Sequence, residues 1–151
     1  MVHIQEWNII VSKNVENKKG VVSLENDINI REVNETDATN WFKFVNKVWR
    51  CAYKSIFPEE VFLEKEKNVE EKEKNFNEII RNNNKNIALV AEYEGESVGI
   101  MCGSINSNYK YFKMKYADLI GLYIDPDFQD SGIGSSLKNM FEDWARKNGA
   151  T

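Results

Sequence analysis

The pattern of apolar and polar positions divides the chain into an irregular N-terminal stretch and a regular remainder. Residues 1–26 follow no clear period. Within them, residues 5–11 (QEWNIIV) are typical of a strand, and residues 21–24 could pair back as a hairpin. Ile28, Ile30 and Val33 then mark a short strand that leads into Asn34. We therefore expect an N-terminal extension, with possible strands, over residues 1–27.

Residues 34–53 have the period of a helix. Asn34 is a good N-cap, and Asp37 places a carboxylate near the positive end of the helix dipole. The apolar residues fall on one wide stripe: Ala38, Trp41, Phe42, Val45, Val48, Trp49 and Ala52. This stripe predicts a helix that packs on a hydrophobic core.

Two further helices are predicted. One begins at Pro58 and continues through a charged run over residues 64–74 to Ile80. The run is typical of a solvated face, although a recruitment site for basic substrates remains an alternative. The last helix spans residues 132–147, with an apolar stripe of Leu137, Met140, Phe141, Trp144 and Ala145.

Three strands are predicted between these helices. Residues 86–93 and 97–105 flank the turn Glu94-Gly95-Glu96 and predict a hairpin. A longer strand region covers residues 112–124, and its nearly all-apolar core, residues 119–124, is typical of a strand with neighbours on both edges. Gly121 interrupts that core, which indicates a bulge or a close approach of another backbone.

Composition excludes several classes of protein. The 151 residues fit one domain, and the net charge of -4 argues against nucleic acid as the main partner. No apolar run reaches the roughly 18 residues of a membrane span, and the first ten residues do not resemble a secretory signal. We therefore expect a cytoplasmic protein that binds neither nucleic acid nor membrane.

Metal and nucleophile chemistry are also disfavoured. The chain has one histidine, His3, and two cysteines, Cys51 and Cys102, whereas zinc sites need about four such ligands. A Ser-His-Asp or Cys-His arrangement would have to use His3. Both cysteines lie among apolar residues, so we interpret them as small buried hydrophobes, and we expect no metal site.

One loop carries candidate chemistry. Gln129, Asp130, Ser131, Gly132, Ile133 and Gly134 join the last strand to the last helix. Glycines at a helix start let a ligand approach the backbone, where free N–H groups attract an anion. The P-loop motif is absent, and the dinucleotide fingerprint fails because Leu137 occupies the place of its third glycine.

The stretch over residues 117–150 resembles the central motif of the GNAT family of N-acetyltransferases. In that motif a strand E-L-x-x-L-Y-V is followed by a proline-containing turn, Q/R-x-x-G-x-G/A and a helix. Eight positions agree: Leu119, Leu122, Tyr123, Ile124, Pro126, Gln129, Gly132 and Gly134. Residues 49–58 (WRCAYKSIFP) look like the first inter-helix segment of small members.

The resemblance covers about residues 28–151 and implies an α/β (α+β) fold, with a mixed, mainly antiparallel sheet flanked by helices. It implies an acetyl-CoA-binding domain over residues 28–151 that moves an acetyl group to an amine acceptor by direct attack. The diphosphate of acetyl-CoA would lie on backbone N–H groups of the loop just described and of Ser135. The pantetheine arm would follow the strand edge at Leu122, Tyr123 and Ile124.

Asp118 stands where many members carry a glutamate, so the resemblance implies a general base that removes the amine proton. Aspartate is one methylene shorter than glutamate. A solvated carboxylate at a strand end is the alternative interpretation.

The sequence departs from the family pattern at its C-terminal side. Members continue into a further strand, a helix and two more strands, and a tyrosine general acid would lie beyond Thr151. Two alternatives to an enzyme follow: a non-catalytic CoA-binding module, or an assembly protein whose sheet a partner completes. We expect residues 1–26 to cover the open edge of the strand 119–124, in the same chain or swapped into a second copy as a homodimer.

Overall fold

The computed structural model describes residues 2–4, 9–10, 27–107 and 114–150, the first two ranges as backbone only. The strands in these ranges are β1 (Val2–Ile4), β2 (Ile9–Ile10), β3 (Ile28–Glu32), β4 (Asn86–Tyr93), β5 (Glu96–Asn106) and β6 (Tyr116–Ile124). The α-helices in these ranges are α1 (Ala38–Tyr53), α2 (Glu59–Lys65), α3 (Val69–Arg81) and α4 (Ile133–Lys147).

The strands form one mixed, mainly antiparallel sheet in the order β1-β6-β5-β4-β3. β3, β4, β5 and β6 pair antiparallel with their neighbours, whereas β1 and β2 both run parallel to β6. Helices α1 and α3 pack on one face of the sheet, and α4 packs on the other. The predicted α/β fold with a sheet flanked by helices is confirmed.

A β-bulge at Ile120 divides β6 into two halves. Cys102 of β5 pairs with Gly121 and Gly103 pairs with Leu119, so Ile120 has no partner on β5. Leu119 and Leu122 both pack in the core on the α4 side, although side chains three apart in a regular strand would face opposite ways. The extra residue shifts the alternation of side chains by one position, so one leucine from each half of β6 faces α4.

Two glycines of β5 let α4 lie close to the sheet. A Cβ at Gly103 would be 2.3 Å from Cε2 of Phe141 and 2.7 Å from the carbonyl oxygen of Asp118. A Cβ at Gly99 would be 2.9 Å from Cγ2 of Ile133. The helix therefore rests in the space that these missing side chains leave.

Helix α4 contacts the sheet through four buried residues at intervals of four: Ile133, Leu137, Phe141 and Ala145. The predicted stripe is wrong at Met140, which is 38% exposed. Trp144 is only partly buried, and its Nε1 donates to the carbonyl of Asn83 at 3.3 Å. Gly149 has φ of 89° and ends the helix in the left-handed conformation.

On the other face, α1 follows a short 3-10 turn over Glu35–Asp37. Asn34 and Asp37 form a capping box. Oδ2 of Asp37 accepts from the backbone N–H of Asn34, and Oδ1 of Asn34 accepts from the backbone N–H of Thr36. The predicted helix over residues 34–53 is confirmed, and its fully packed residues include Phe44, which the sequence pattern did not single out.

The single helix predicted from Pro58 to Ile80 is wrong. The segment forms two helices, α2 and α3, separated by residues 66–68. Asn68 adopts φ of 60°, in the left-handed region that asparagine tolerates better than most residues, and this turns the chain. The sequence gives no sign of this break, because the charged run over residues 64–74 contains no glycine or proline.

The N-terminal strands cover the outer edge of β6 within the same chain. Val2 pairs with Ala117 and Ile9 pairs with Leu122. The predicted cover of this edge by the extension is therefore observed, with strands at residues 2–4 and 9–10. The rest of the strand predicted at 5–11 and the hairpin strand at 21–24 lie outside the described residues, as do residues 108–113. The homodimer stays a prediction.

A search of the described residues finds no helix with the length and apolar character needed to cross a membrane.

Gly103→Ala should destabilise the protein, because its new methyl group would overlap the Phe141 ring and the backbone of β6. We expect a loss of about 1–3 kcal/mol in the free energy of unfolding, measured by urea denaturation. The matched control is Gly134→Ala, since a Cβ there meets nothing within 4 Å. Equal stability of the two variants would contradict the close packing described here.

Candidate functional site

The N-terminus of α4 offers unpaired backbone donors. Gly132 is the N-cap, with φ of 83° and no side chain to cap the helix. Ser136 N–H donates to the Gly132 carbonyl at 3.0 Å and closes the first helical turn. Ile133, Gly134 and Ser135 come before Ser136 in the first helical turn. Their backbone N–H groups therefore have no carbonyl of the same helix to donate to. The positive end of the helix dipole adds to this local attraction for an anion.

Several contacts fix the conformation of the loop that precedes α4. Pro126–Phe128 forms a 3-10 turn, and Phe128 is buried against Tyr93 with ring centroids 5.3 Å apart. The hydroxyl of Ser131 donates to the carbonyl of Phe128. Asp130, with φ of 62°, and Gly132, with φ of 83°, both adopt positive φ shortly before the helix begins.

A buried carboxylate ties this loop to α1. Asp125 is 5% exposed; its Oδ1 accepts from the N–H of Asp127 at 3.0 Å, and its Oδ2 accepts from Nζ of Lys47 at 2.7 Å. The hydrogen bond to Asp125 raises the pKa of Lys47. The sequence analysis did not single out Asp125, although an aspartate before a proline is an N-cap signal.

Two observations indicate that the loop is shaped for a ligand. A Cβ built at Gly134 would meet no atom within 4 Å, so the space above this residue is open. Nε2 of Gln129 is buried, and no acceptor for it exists among the described residues. Buried amide groups are normally hydrogen-bonded, so an unpartnered one at the start of this loop is an uncommon feature.

The edge of β6 that leads to this loop is covered in part. Leu122 and Tyr123 pair with Ile9 and Ile10 of β2, while Ile124 pairs with Gly99 on the opposite edge. The candidate residues Leu122, Tyr123 and Ile124 thus lie directly before the loop, and β2 occupies the edge at the first two.

Asp118 lies on the other side of the bulge. It alternates with Ala117 and Leu119, which face α4, so its side chain is on the sheet face that carries α1 and α3. Its Oδ2 accepts from Nδ2 of Asn106 at 2.6 Å. Ile124 lies six positions further along β6, which is roughly 20 Å at about 3.3 Å per residue. A molecule that used both Asp118 and the loop would therefore need to be long.

Asn106 is a residue that sequence reasoning missed. Its amide joins Asp118 to Ser104, whose Oγ lies 3.3 Å from Nδ2. Only the register between β5 and β6, which pairs Asn106 with Tyr116 and Ser104 with Asp118, brings these groups together.

The two cysteines differ in environment. Burial raises the pKa of the Cys102 thiol to about 12, so it stays protonated near neutral pH and does not act as a nucleophile. Its Sγ packs beside Gly121. Cys51 is exposed on α1, so its interpretation as a buried hydrophobe is wrong.

Comparison with known proteins identifies what this arrangement resembles. The family model described as "Acetyltransferase (GNAT) family" matches residues 42–151. A curated relative, an uncharacterized N-acetyltransferase of Methanocaldococcus jannaschii, is 33% identical over 60 residues. That match covers 40% of this chain, and it spans only about a quarter of the relative's length, 26%.

Solved structures share the fold over most of their length. The PaiA N-acetyltransferase of Thermoplasma acidophilum, solved in complex with coenzyme A, is 26% identical with a TM-score of 0.66. The match covers 81% of this chain and 74% of that protein. An aminoglycoside 6'-N-acetyltransferase of Acinetobacter haemolyticus is 18% identical with a TM-score of 0.63, over 82% and 74% of the two chains. The second likeness concerns the fold alone.

Proposed function

The chain belongs to the acetyltransferase (GNAT) family, and on that premise we propose that it transfers an acetyl group from acetyl-CoA to an amine acceptor. The observation that carries the proposal is the open N-terminus of α4, with its left-handed Gly132 and the empty space above Gly134. The Thermoplasma acidophilum protein that shares this fold was solved with coenzyme A.

The diphosphate of acetyl-CoA is the part that this loop suits best. Residues 129–135 contain no basic side chain and one acid, Asp130. Binding of the diphosphate would therefore depend on backbone N–H groups and the helix dipole, which favour an anion without lysine or arginine.

The reaction needs an acceptor for one proton. The neutral amine attacks the carbonyl carbon of the thioester, the carbon–sulfur bond breaks, and coenzyme A leaves as the thiolate. We assign the amine proton to Asp118, directly or through water, because its carboxylate lies on β6 and Asn106 holds one of its oxygens. A backbone N–H of β6 would stabilise the oxyanion.

The acceptor would approach from the junction of α1 and α2. Trp49, Tyr53 and Phe57 form a contiguous aromatic group there, with ring centroids 4.8–5.5 Å apart. Trp49, Tyr53 and Tyr123 pack against the same buried cluster, so this group lies near β6. The aromatic surface favours an acceptor with an apolar part beside its amine.

A consequence of the proposal concerns β2. The pantetheine arm is assigned to the edge of β6 at Leu122 and Tyr123, and these two residues pair with Ile9 and Ile10. Both partners cannot use the same backbone groups, so binding of acetyl-CoA would displace β2 from that part of the edge.

Gly134→Val should abolish binding of CoA while the protein stays folded, because the valine side chain would fill the open space above the helix N-terminus. Isothermal titration with CoA measures the affinity, and circular dichroism checks the fold. The matched control is Asn139→Val, an insertion of the same side chain at an exposed position further along α4. Wild-type affinity in a folded Gly134→Val variant would contradict the assigned site.

Asp118→Asn should lower turnover by about two to four orders of magnitude, the usual contribution of a general base, with little change in acetyl-CoA affinity. Release of thiol from acetyl-CoA with a panel of amines measures turnover. Asp127→Asn, at an exposed acid, serves as the control. If turnover is unchanged, Asp118 is a surface carboxylate; if the wild type binds CoA without turnover, the chain is a binding module.

Weakening β2 should tighten CoA binding. Ile10→Pro removes a backbone donor from β2, and we expect Kd for CoA to fall by about tenfold, which corresponds to about 1.4 kcal/mol. A deletion of residues 1–26 should have the same direction of effect. Equal or weaker affinity in folded variants would show that β2 and CoA do not compete.

A further inference from the structure

A groove between α1, α2 and α3 lies outside the proposed acetyl-transfer site. It has a volume of about 260 Å³, and its apolar wall consists of Phe42, Val45 and Val69. Lys65 and Lys72 line the same groove. Lysine stems commonly lie along apolar surface, with the ammonium group at its border, so the groove combines apolar wall and positive charge.

The acidic side chain in this groove, Glu66, is already paired with an arginine. Glu66 lines it, but both of its carboxylate oxygens accept from Arg50, Oε1 from Nε and Oε2 from Nη2 at 2.9 Å. Arg50 also binds Glu59. The ion pairs found among the described residues include neither Lys65 nor Lys72, so within that part of the chain no carboxylate lies within 4 Å of either ammonium group.

The two lysines are instead held by neutral groups. Nζ of Lys65 donates to Oδ1 of Asn46 at 3.2 Å and lies 5.1 Å from the centre of the Trp49 ring. Nζ of Lys72 donates to the backbone carbonyl of Lys65. Each ammonium group has three N–H donors, so both keep donors that a ligand could use.

The electrostatics of Lys65 agree with this geometry. Burial lowers its pKa, the nearby charge of Lys72 lowers it further, and the charge of Glu66 acts in the opposite direction as the smallest of the three causes. The first two effects penalise the ammonium form, and an anion between the two lysines would oppose them. The groove thus has two ammonium groups without an ion pair among the described residues, next to apolar surface.

We propose that this groove binds a small molecule with a carboxylate at one end and a compact apolar group at the other. The carboxylate accepts from Lys65 and Lys72, and the apolar group packs on Phe42, Val45 and Val69. The volume holds roughly nine water-sized groups at about 30 Å³ each, which limits the ligand to the size of a substituted benzene. The proposal does not depend on acetyl transfer.

The probe is benzoate, titrated into the full chain. We expect a Kd on the order of 1 mM, as a small ligand with one ionic contact allows. Benzyl alcohol, which keeps the ring and lacks the charge, should not bind at the same concentration. Inorganic phosphate, which keeps the charge and lacks the ring, should bind more weakly.

The variants Lys65→Met and Lys72→Met should each weaken benzoate binding by about tenfold or more, whereas Lys67→Met should not. Lys67 is exposed, carries the same charge and pairs with Glu64 outside the groove, so it controls for net charge. The titration of Lys65 Nζ by NMR gives a second readout, in which benzoate should raise the pKa of this lysine.

Three results would overturn the proposal: no binding of benzoate at 10-fold the expected Kd of about 1 mM, equal binding by Lys65→Met and wild type, or phosphate binding as tightly as benzoate. If Lys65→Met does not fold, Lys72→Met and the NMR titration of the wild type decide. Loss of CoA binding in the Gly134→Val variant leaves this test unaffected, so the two proposals fail independently.

Discussion

The extra residue in β6 is the constraint on which the rest of the arrangement depends. A strand has a period of two, so one added residue exchanges the faces of everything after it. Without Ile120, either Leu119 or Leu122 would point away from α4 and leave the core under that helix. On the outer edge, β1 pairs with residues 117–119, before the bulge, and β2 pairs with Leu122 and Tyr123, after it. The proposed base and the loop lie on opposite sides of this bulge.

Sequence reasoning recovered the parts of the fold that local signals determine. The helix over residues 34–53 was recognisable because a cap and an apolar stripe occur together, and the β4–β5 hairpin because a turn joins two apolar runs. The loop at the start of α4 was recognisable for the same reason, since glycine placement and a helix start are both local. Gly121 indicated a bulge correctly, although the unpaired residue is its neighbour Ile120.

The missed features all depend on contacts between residues distant in sequence or on one backbone angle. The bond between Asn106 and Asp118 and the bond between Lys47 and Asp125 join separate elements, so no spacing in the chain reveals them. The break at Asn68 depends on a single left-handed residue inside a charged run. Likewise, the ion pair between Arg50 and Glu66 joins α1 to the end of α2. Because Arg50 holds both carboxylate oxygens of Glu66, Lys65 does not form an ion pair with this residue.

The pairing of the first strands with β6 has a consequence for how the molecule forms during synthesis. Residues 2–4 are synthesised well before their partners 117–119, because the two segments are far apart in the sequence. The β4–β5 hairpin and α1 depend on short-range contacts and can form in the interval. Closure of the outer edge must therefore come late, because long-range strand pairing waits for both partners and carries the entropy of a long loop. Until then, the nascent protein presents an apolar, unpaired strand edge, which is the type of surface that chaperones and neighbouring chains can capture.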